Sequence, residues 1–131
     1  MGLNKSRRPT MAPGNRVSNI STGVSTGTTL QPDRTYTINA PAADATWNLA
    51  TPTRKGDVTV VHVATNSTKV VTVRTASSAV TFFGSTNDAL AVSTGQAGVT
   101  LRFTSLSTTK YAVEIVSRST AAPVTASAST R

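Results

Sequence analysis

Gly56-Asp57-Val58-Thr59-Val60-Val61-His62-Val63, then Ala64-Thr65-Asn66-Ser67-Thr68, then Lys69-Val70-Val71-Thr72-Val73-Arg74-Thr75 is the stretch on which the fold turns. Two β-branched runs flank a short polar segment. That pattern predicts a hairpin, with Asn66 and its hydroxyl-bearing neighbours supplying the turn. Side chains alternate along a strand, so Val58, Val60 and Val63 cannot share one face. Val60-Val61 therefore predicts either a bulge or a strand covered on both faces. Val70-Val71 poses the same choice. An isolated hairpin is marginal in water, so further strands or a partner surface must cover it.

Working outward, the same alternation recurs. Thr35-Tyr36-Thr37-Ile38-Asn39 and Ala45-Thr46-Trp47-Asn48-Leu49 read as strands on the N-terminal side, with Trp47 and Leu49 on one face. Thr51 to Asp57 is a turn in which Gly56 is expected at a positive φ. On the C-terminal side, residues 79–83, 89–92, 99–103 and 110–116 read as strands. In the last of these, Tyr111, Val113 and Ile115 are expected to face inward and Glu114 outward. No run of about ten residues carries a helical period. The class is all-β: a small antiparallel sandwich or barrel of about eight short strands. The chain divides into an extended basic arm over 1–29, a β-domain over 30–117 and a Ser/Thr/Ala-rich tail over 118–131.

With 131 residues, 37% hydrophobic and 5% aromatic, the core must be lean. Charged residues are only 14%, and Ser and Thr take their place. Thr suits a strand surface, because its branched side chain packs while its hydroxyl hydrogen-bonds. Small domains with thin cores and no disulfides gain stability by associating, and this chain has no cysteine. No apolar run reaches membrane-spanning length, and the first residues lack the apolar core of a signal peptide. Neither a membrane partner nor secretion is expected.

The net charge of +8 arises from scarce acid, the only carboxylates being Asp33, Asp44, Asp57, Asp88 and Glu114. Their spacing suggests no facing acid–base pair, and the four aspartates fall in loops or at strand starts, where Asp forms turns. His62 is the only histidine and lacks companions for a metal site. No catalytic residue, metal ligand or cofactor is expected, and the chain is read as non-enzymatic. Met1-Gly2-Leu3-Asn4-Lys5-Ser6 fits the myristoylation pattern, and Asn19 and Asn66 open glycosylation sequons. In so Ser/Thr-rich a chain such matches arise by chance.

One feature pulls toward function. Lys5, Arg7, Arg8 and Arg16 form an acid-free segment that Pro9 and Pro13 keep out of a regular helix. A cationic arm can lie on phosphates or on an acidic protein surface. No aromatics are interleaved for base stacking, so protein docking is favoured over nucleic acid.

The succession of a Tyr-Thr-Ile strand, a Trp-Asn-Leu strand, an Arg-Lys-Gly-Asp turn, a Val-rich strand, a Gly-Gln-Ala-Gly turn before Val-Thr-Leu-Arg-Phe, and a final Lys-Tyr-Ala-Val-Glu strand resembles the small β-domains of tailed-bacteriophage virion proteins. Capsid decoration (cement) proteins and head-fibre or tail-spike modules are the members it is most like. The resemblance covers about Thr29 to Val116. It implies a homotrimer on the outer capsid lattice, the major capsid protein as partner, and arms reaching between capsomers, a role Lys5, Arg7, Arg8 and Arg16 would fit. The alternative is a tail-fibre or spike module that binds a host surface glycan, with Trp47, Tyr36, Phe82 and Phe83 as the aromatics available for stacking on a sugar.

Overall fold

The computed structural model describes residues 20–22, 25–39, 41–63, 69–92, 98–117 and 124–129. Lys5, Arg7, Arg8 and Arg16, the sequon asparagines Asn19 and Asn66, and the Asn66 turn lie outside them. The described residues hold no helix and eleven strands. In chain order these are β1 (Ile20–Thr22), β2 (Thr29–Leu30), β3 (Arg34–Ile38), β4 (Ala45–Leu49), β5 (Val58–Val63) and β6 (Val71–Thr75). Then come β7 (Thr81–Phe82), β8 (Ala89–Val92), β9 (Val99–Ser107), β10 (Lys110–Ser117) and β11 (Val124–Ser127). They form two sheets, one ordered β1-β3-β5-β9-β10-β7 and the other β11-β8-β6-β4-β2. Neither closes into a barrel, and the architecture is a small β-sandwich.

The predicted hairpin is not formed. β5 lies in the first sheet and β6 in the second. The stretch is an arch between layers: Val61 and Val63 bury into the interior from one side, Val71 and Val73 from the other. This is the middle of a longer rule. From β1 to β6 the chain alternates sheets, and each strand pairs in parallel with the strand two before it. Only the second half, apart from the short β7–β10 contact, is antiparallel, so the sheets are mixed rather than antiparallel throughout.

The Val pairs need no bulge. In β5, Thr59, Val61 and Val63 are buried, while Val58 and Val60 are half-buried on the outer face and His62 is exposed there. β5 sits between β3 and β9, whose outward side chains shield the valines. The sheets also reach into both segments read as arm and tail. Ile20–Thr22 pairs with β3, and Val124–Ser127 pairs with β8.

Register puts the apolar residues in rows. In the first sheet Tyr36, Val61, Leu101 and Ile115 are successive partners; in the second, Trp47, Val73, Leu90 and Ala126. Tyr36, Val61, Leu101, Trp47, Val73 and Leu90 are buried. Full burial of such side chains contributes about 1.5–3 kcal/mol each. Beneath β7, β9 and β10, Phe103 stacks at a tilt on Phe82 and edge-on against Tyr111, both with ring centroids 6.1 Å apart. Ile115, expected inward, is 43% exposed, for the row ends there.

Loops are tied by polar groups that find partners. Gly56 has φ 87° and its N–H donates to the Ser105 carbonyl at 2.8 Å, which fits the tight entry into β5. The Thr75 hydroxyl, fully buried, is shared between the Ser77 and Val80 carbonyls. Asp88 is 2% exposed, yet its carboxylate accepts the Ser129 N–H at 2.6 Å and the Ser129 hydroxyl at 2.8 Å. Its own N–H donates to the Ser127 carbonyl at 3.0 Å. Asp88 therefore anchors the end of β11, an edge strand whose last three residues are exposed. Asp88→Ala should lower stability by about 2–4 kcal/mol, because two hydrogen bonds to a buried charge are lost. Urea denaturation measures the loss, and amide exchange over Val124–Ser129 should accelerate more than exchange in β5. Unchanged stability would contradict the anchor.

Candidate interaction surfaces

Chemistry-bearing residues are placed apart. Asp44 caps a crossing by accepting the Val70 N–H at 2.9 Å. Asp57 pairs with Arg54 at 3.2 Å across a turn. Asp88 holds β11, and Glu114 stands on the exposed face of β10. The Asp33 N–H donates to the Val58 carbonyl at 2.7 Å in a residue of φ 60°, so Asp33 shapes the turn into β3. Among the described residues no three of His, Cys, Asp and Glu stand together as metal ligands. His62 is exposed, and its Nδ1 meets the Thr100 hydroxyl at 2.8 Å on the outer face of the first sheet.

Of the four aromatics available for sugar stacking, three are core. Trp47, Tyr36 and Phe82 are 2–5% exposed, while Phe83 is 73% exposed just past β7. Alternation decides this. Phe82 is in register with Tyr111 and points inward, so Phe83 points out.

The two outer faces differ. On the second sheet the outward positions of β4, β6, β8 and β11 are Thr46, Asn48, Thr72, Arg74, Ala89, Ala91, Thr125 and Ser127, small or polar throughout; Arg74 donates to the Asn48 side-chain carbonyl at 3.2 Å. The first sheet carries Val58, Val60, Ala112 and Val116 outward beside Thr100, Arg102 and Glu114. Among the described residues the large exposed apolar side chains, Phe83, Ile115 and Val116, all belong to its β7–β10 end.

Charge is partitioned along the chain. Residues 30–117 hold seven Lys or Arg and all five carboxylates, leaving +2. The remaining +6 of the net +8 lies in the two ends: Lys5, Arg7, Arg8 and Arg16 before the domain, Arg118 and Arg131 after it. The sandwich is nearly neutral and the ends are cationic.

The Tyr111 phenol is shifted by its surroundings. Burial raises the Tyr111 phenol above the usual tyrosine range; a hydrogen bond from the Ser105 side chain pulls it partway down, and the Asp57 carboxylate pushes it up. Its hydroxyl donates to the Ala50 carbonyl at 2.6 Å. A raised folded-state value means that the stabilisation is full below the ordinary tyrosine range and is lost as pH climbs through the folded value. Stability should therefore fall above about pH 10. Tyr111→Phe should flatten that alkaline limb in pH-resolved urea titrations and cost about 1 kcal/mol at neutral pH through the lost bond. An alkaline limb identical in the variant would contradict the assignment.

Neither protein-family models nor curated protein sequences give a match to this chain.

Proposed function

We propose that the chain is a non-enzymatic structural protein of a tailed-bacteriophage virion, one that docks on the outer capsid surface and stabilises or decorates it. The observation that carries this reading is the partition of charge. A nearly neutral, Thr-coated sandwich stands between cationic ends, so long-range attraction to an acidic surface acts mainly through Lys5, Arg7, Arg8 and Arg16. The strand-and-turn succession that resembles virion β-domains supplies the class of surface. The aspartates serve turns and strand ends, which accords with a binding role rather than catalysis.

Co-sedimentation of the full-length chain with expanded, DNA-free capsids tests it. The unaltered chain should sediment with capsids, and a variant carrying Lys5→Glu, Arg7→Glu, Arg8→Glu and Arg16→Glu should bind at least about tenfold more weakly at low salt. Failure of the unaltered chain to bind, or binding indifferent to the four reversals, contradicts the proposal. Using the full chain keeps β1 in place, which a truncation at Thr29 would remove.

Phe83 favours a second reading, a spike or fibre module that binds a host glycan. It is the one exposed aromatic of the four named, and Ser85, Thr86 and Asn87 follow it. On that reading a glycan array gives hits that Phe83→Ala abolishes, while stability stays within about 0.5 kcal/mol. An array without hits rules it out.

A further inference from the structure

β7 is two residues long, yet its ladder carries on past its end. Thr81 is level with Lys110 on β10, and its N–H donates to the Thr109 carbonyl at 3.0 Å. The Phe83 N–H donates to the Tyr111 carbonyl at 2.8 Å, the same step moved on by two residues, so Phe83 stands level with Ala112. Phe82 and Tyr111 are buried, so Thr81, Phe83, Lys110 and Ala112 all face outward. The Phe83 backbone is thus pinned, while its side chain is 73% exposed and makes no ring contact among the described residues. Ala112 and its partner Thr104 on β9 are small, which leaves the flank of the ring open.

After Phe83 the chain folds back beside Lys110. Gly84 takes φ 75°, the Ser85 N–H donates to the Phe82 carbonyl at 3.0 Å, and the Phe82 N–H donates to the Asn87 carbonyl at 3.0 Å, which closes a tight loop. The half-buried Lys110 ammonium donates to the Thr81 hydroxyl and, at 3.4 Å, to the Ser85 carbonyl. An ammonium has three N–H groups, and both of these acceptors are neutral. The cross-strand neighbours of Lys110, Thr81 and Ser107, bring hydroxyls and no carboxylate. Among the described residues Lys110 forms no ion pair. The nearest carboxylate along β10 is Glu114, on the far side of Phe83 and level with Arg102. The Thr86 hydroxyl and the Asn87 carboxamide make no hydrogen bond among the described residues. An uncompensated cation, a free aromatic and two free polar side chains therefore share one loop and the strand beside it.

We infer that Phe83 and Lys110 form a binding site for an acidic sugar, a pyranose ring that bears a carboxylate. The inference rests on the glycan reading above and names the class of sugar. The C–H face of a pyranose packs on an exposed aromatic ring, and a few placed polar groups fix its orientation. Strand spacing and rise put the Cα atoms of Phe83 and Lys110 about 8 Å apart on the same face. One sugar ring seated on Phe83, with its carboxylate extended along β10, spans that gap to the lysine head. The ammonium then gains the charge-assisted hydrogen bond that no group among the described residues supplies. Glu114 on the opposite flank of Phe83 repels an anion, so the carboxylate has one favoured direction. A neutral sugar would leave the ammonium without its counter-charge, and an anion without a ring would leave Phe83 uncovered.

Amide chemical shifts of the isotope-labelled full-length chain test this, in titrations with methyl β-D-glucuronide and methyl β-D-glucoside to roughly 50 mM. The two probes differ by one carboxylate. The glucuronide should move the amides of Phe83, Ser85, Asn87 and Lys110 and bind about five- to tenfold more tightly than the glucoside. Raising the salt concentration should shrink that preference. Lys110→Gln, which keeps a donor for Thr81, should erase it, and Phe83→Ala should abolish binding of both sugars, with the thermal stability of each variant unchanged. Equal binding of the two sugars overturns the acidic-sugar inference and leaves the glycan reading standing. So does a preference that survives Lys110→Gln or is indifferent to salt. The same shifts with sodium acetate alone mean a simple anion site and also overturn it. Shifts from neither sugar overturn it too, and the glycan array then decides the broader reading on its own.

Discussion

Everything in the first half of this structure follows from one constraint: a short strand with a single apolar face must bury that face against another layer. β3, β4, β5 and β6 each offer two or three inward side chains, too few to hold a flat ribbon. The chain meets the constraint by crossing between sheets at each connection. Tyr36 and Ile38 enter the interior from one side, Trp47 and Leu49 from the other, and Val61, Val63, Val71 and Val73 repeat the pattern one level on. Parallel pairing is a consequence. A strand that returns to its own sheet after a full circuit runs in the same direction as its predecessor. Only after β6 does the chain turn back on itself, and β8 to β11 complete both sheets chiefly in antiparallel fashion.

Periodicity in the sequence reports which side chains share a face, and those readings hold. Trp47 and Leu49 are buried on one face as alternation requires, and Leu90 with Val92, and Val99 with Leu101 and Phe103, follow the same rule. Gly56 takes its positive φ, and the aspartates shape turns. Periodicity does not report which strand is the neighbour. Two Val-rich runs around a polar loop look alike whether the loop folds a hairpin or arches between sheets, since inward valines are buried either way. The loop length held a clue: seven residues, 64–70, separate β5 from β6, far from the two-residue Asn-Gly connection that marks a tight hairpin. β1, β2 and β11 escaped notice because they are two to four residues long and drawn from Ser/Thr-rich sequence, so pairing to an existing sheet, not patterning, makes them strands.

The candidate surfaces divide in the same way. The excess of positive charge in the two ends of the sequence was legible because charge is a property of composition. The identity of the free aromatic was not, for Phe82 and Phe83 are adjacent and identical, and only the pairing of Phe82 with Tyr111 sends one in and one out.

The central claim is that the Val-rich stretch belongs to two layers. Backbone nuclear Overhauser contacts in the isotope-labelled full-length chain test it most directly. The account predicts inter-strand contacts between Tyr36 and Val61 and between Trp47 and Val73, with none between the backbones of β5 and β6. A ladder of backbone contacts joining Val58–Val63 to Val71–Thr75 would mean a hairpin after all, and would contradict the alternation on which the architecture rests.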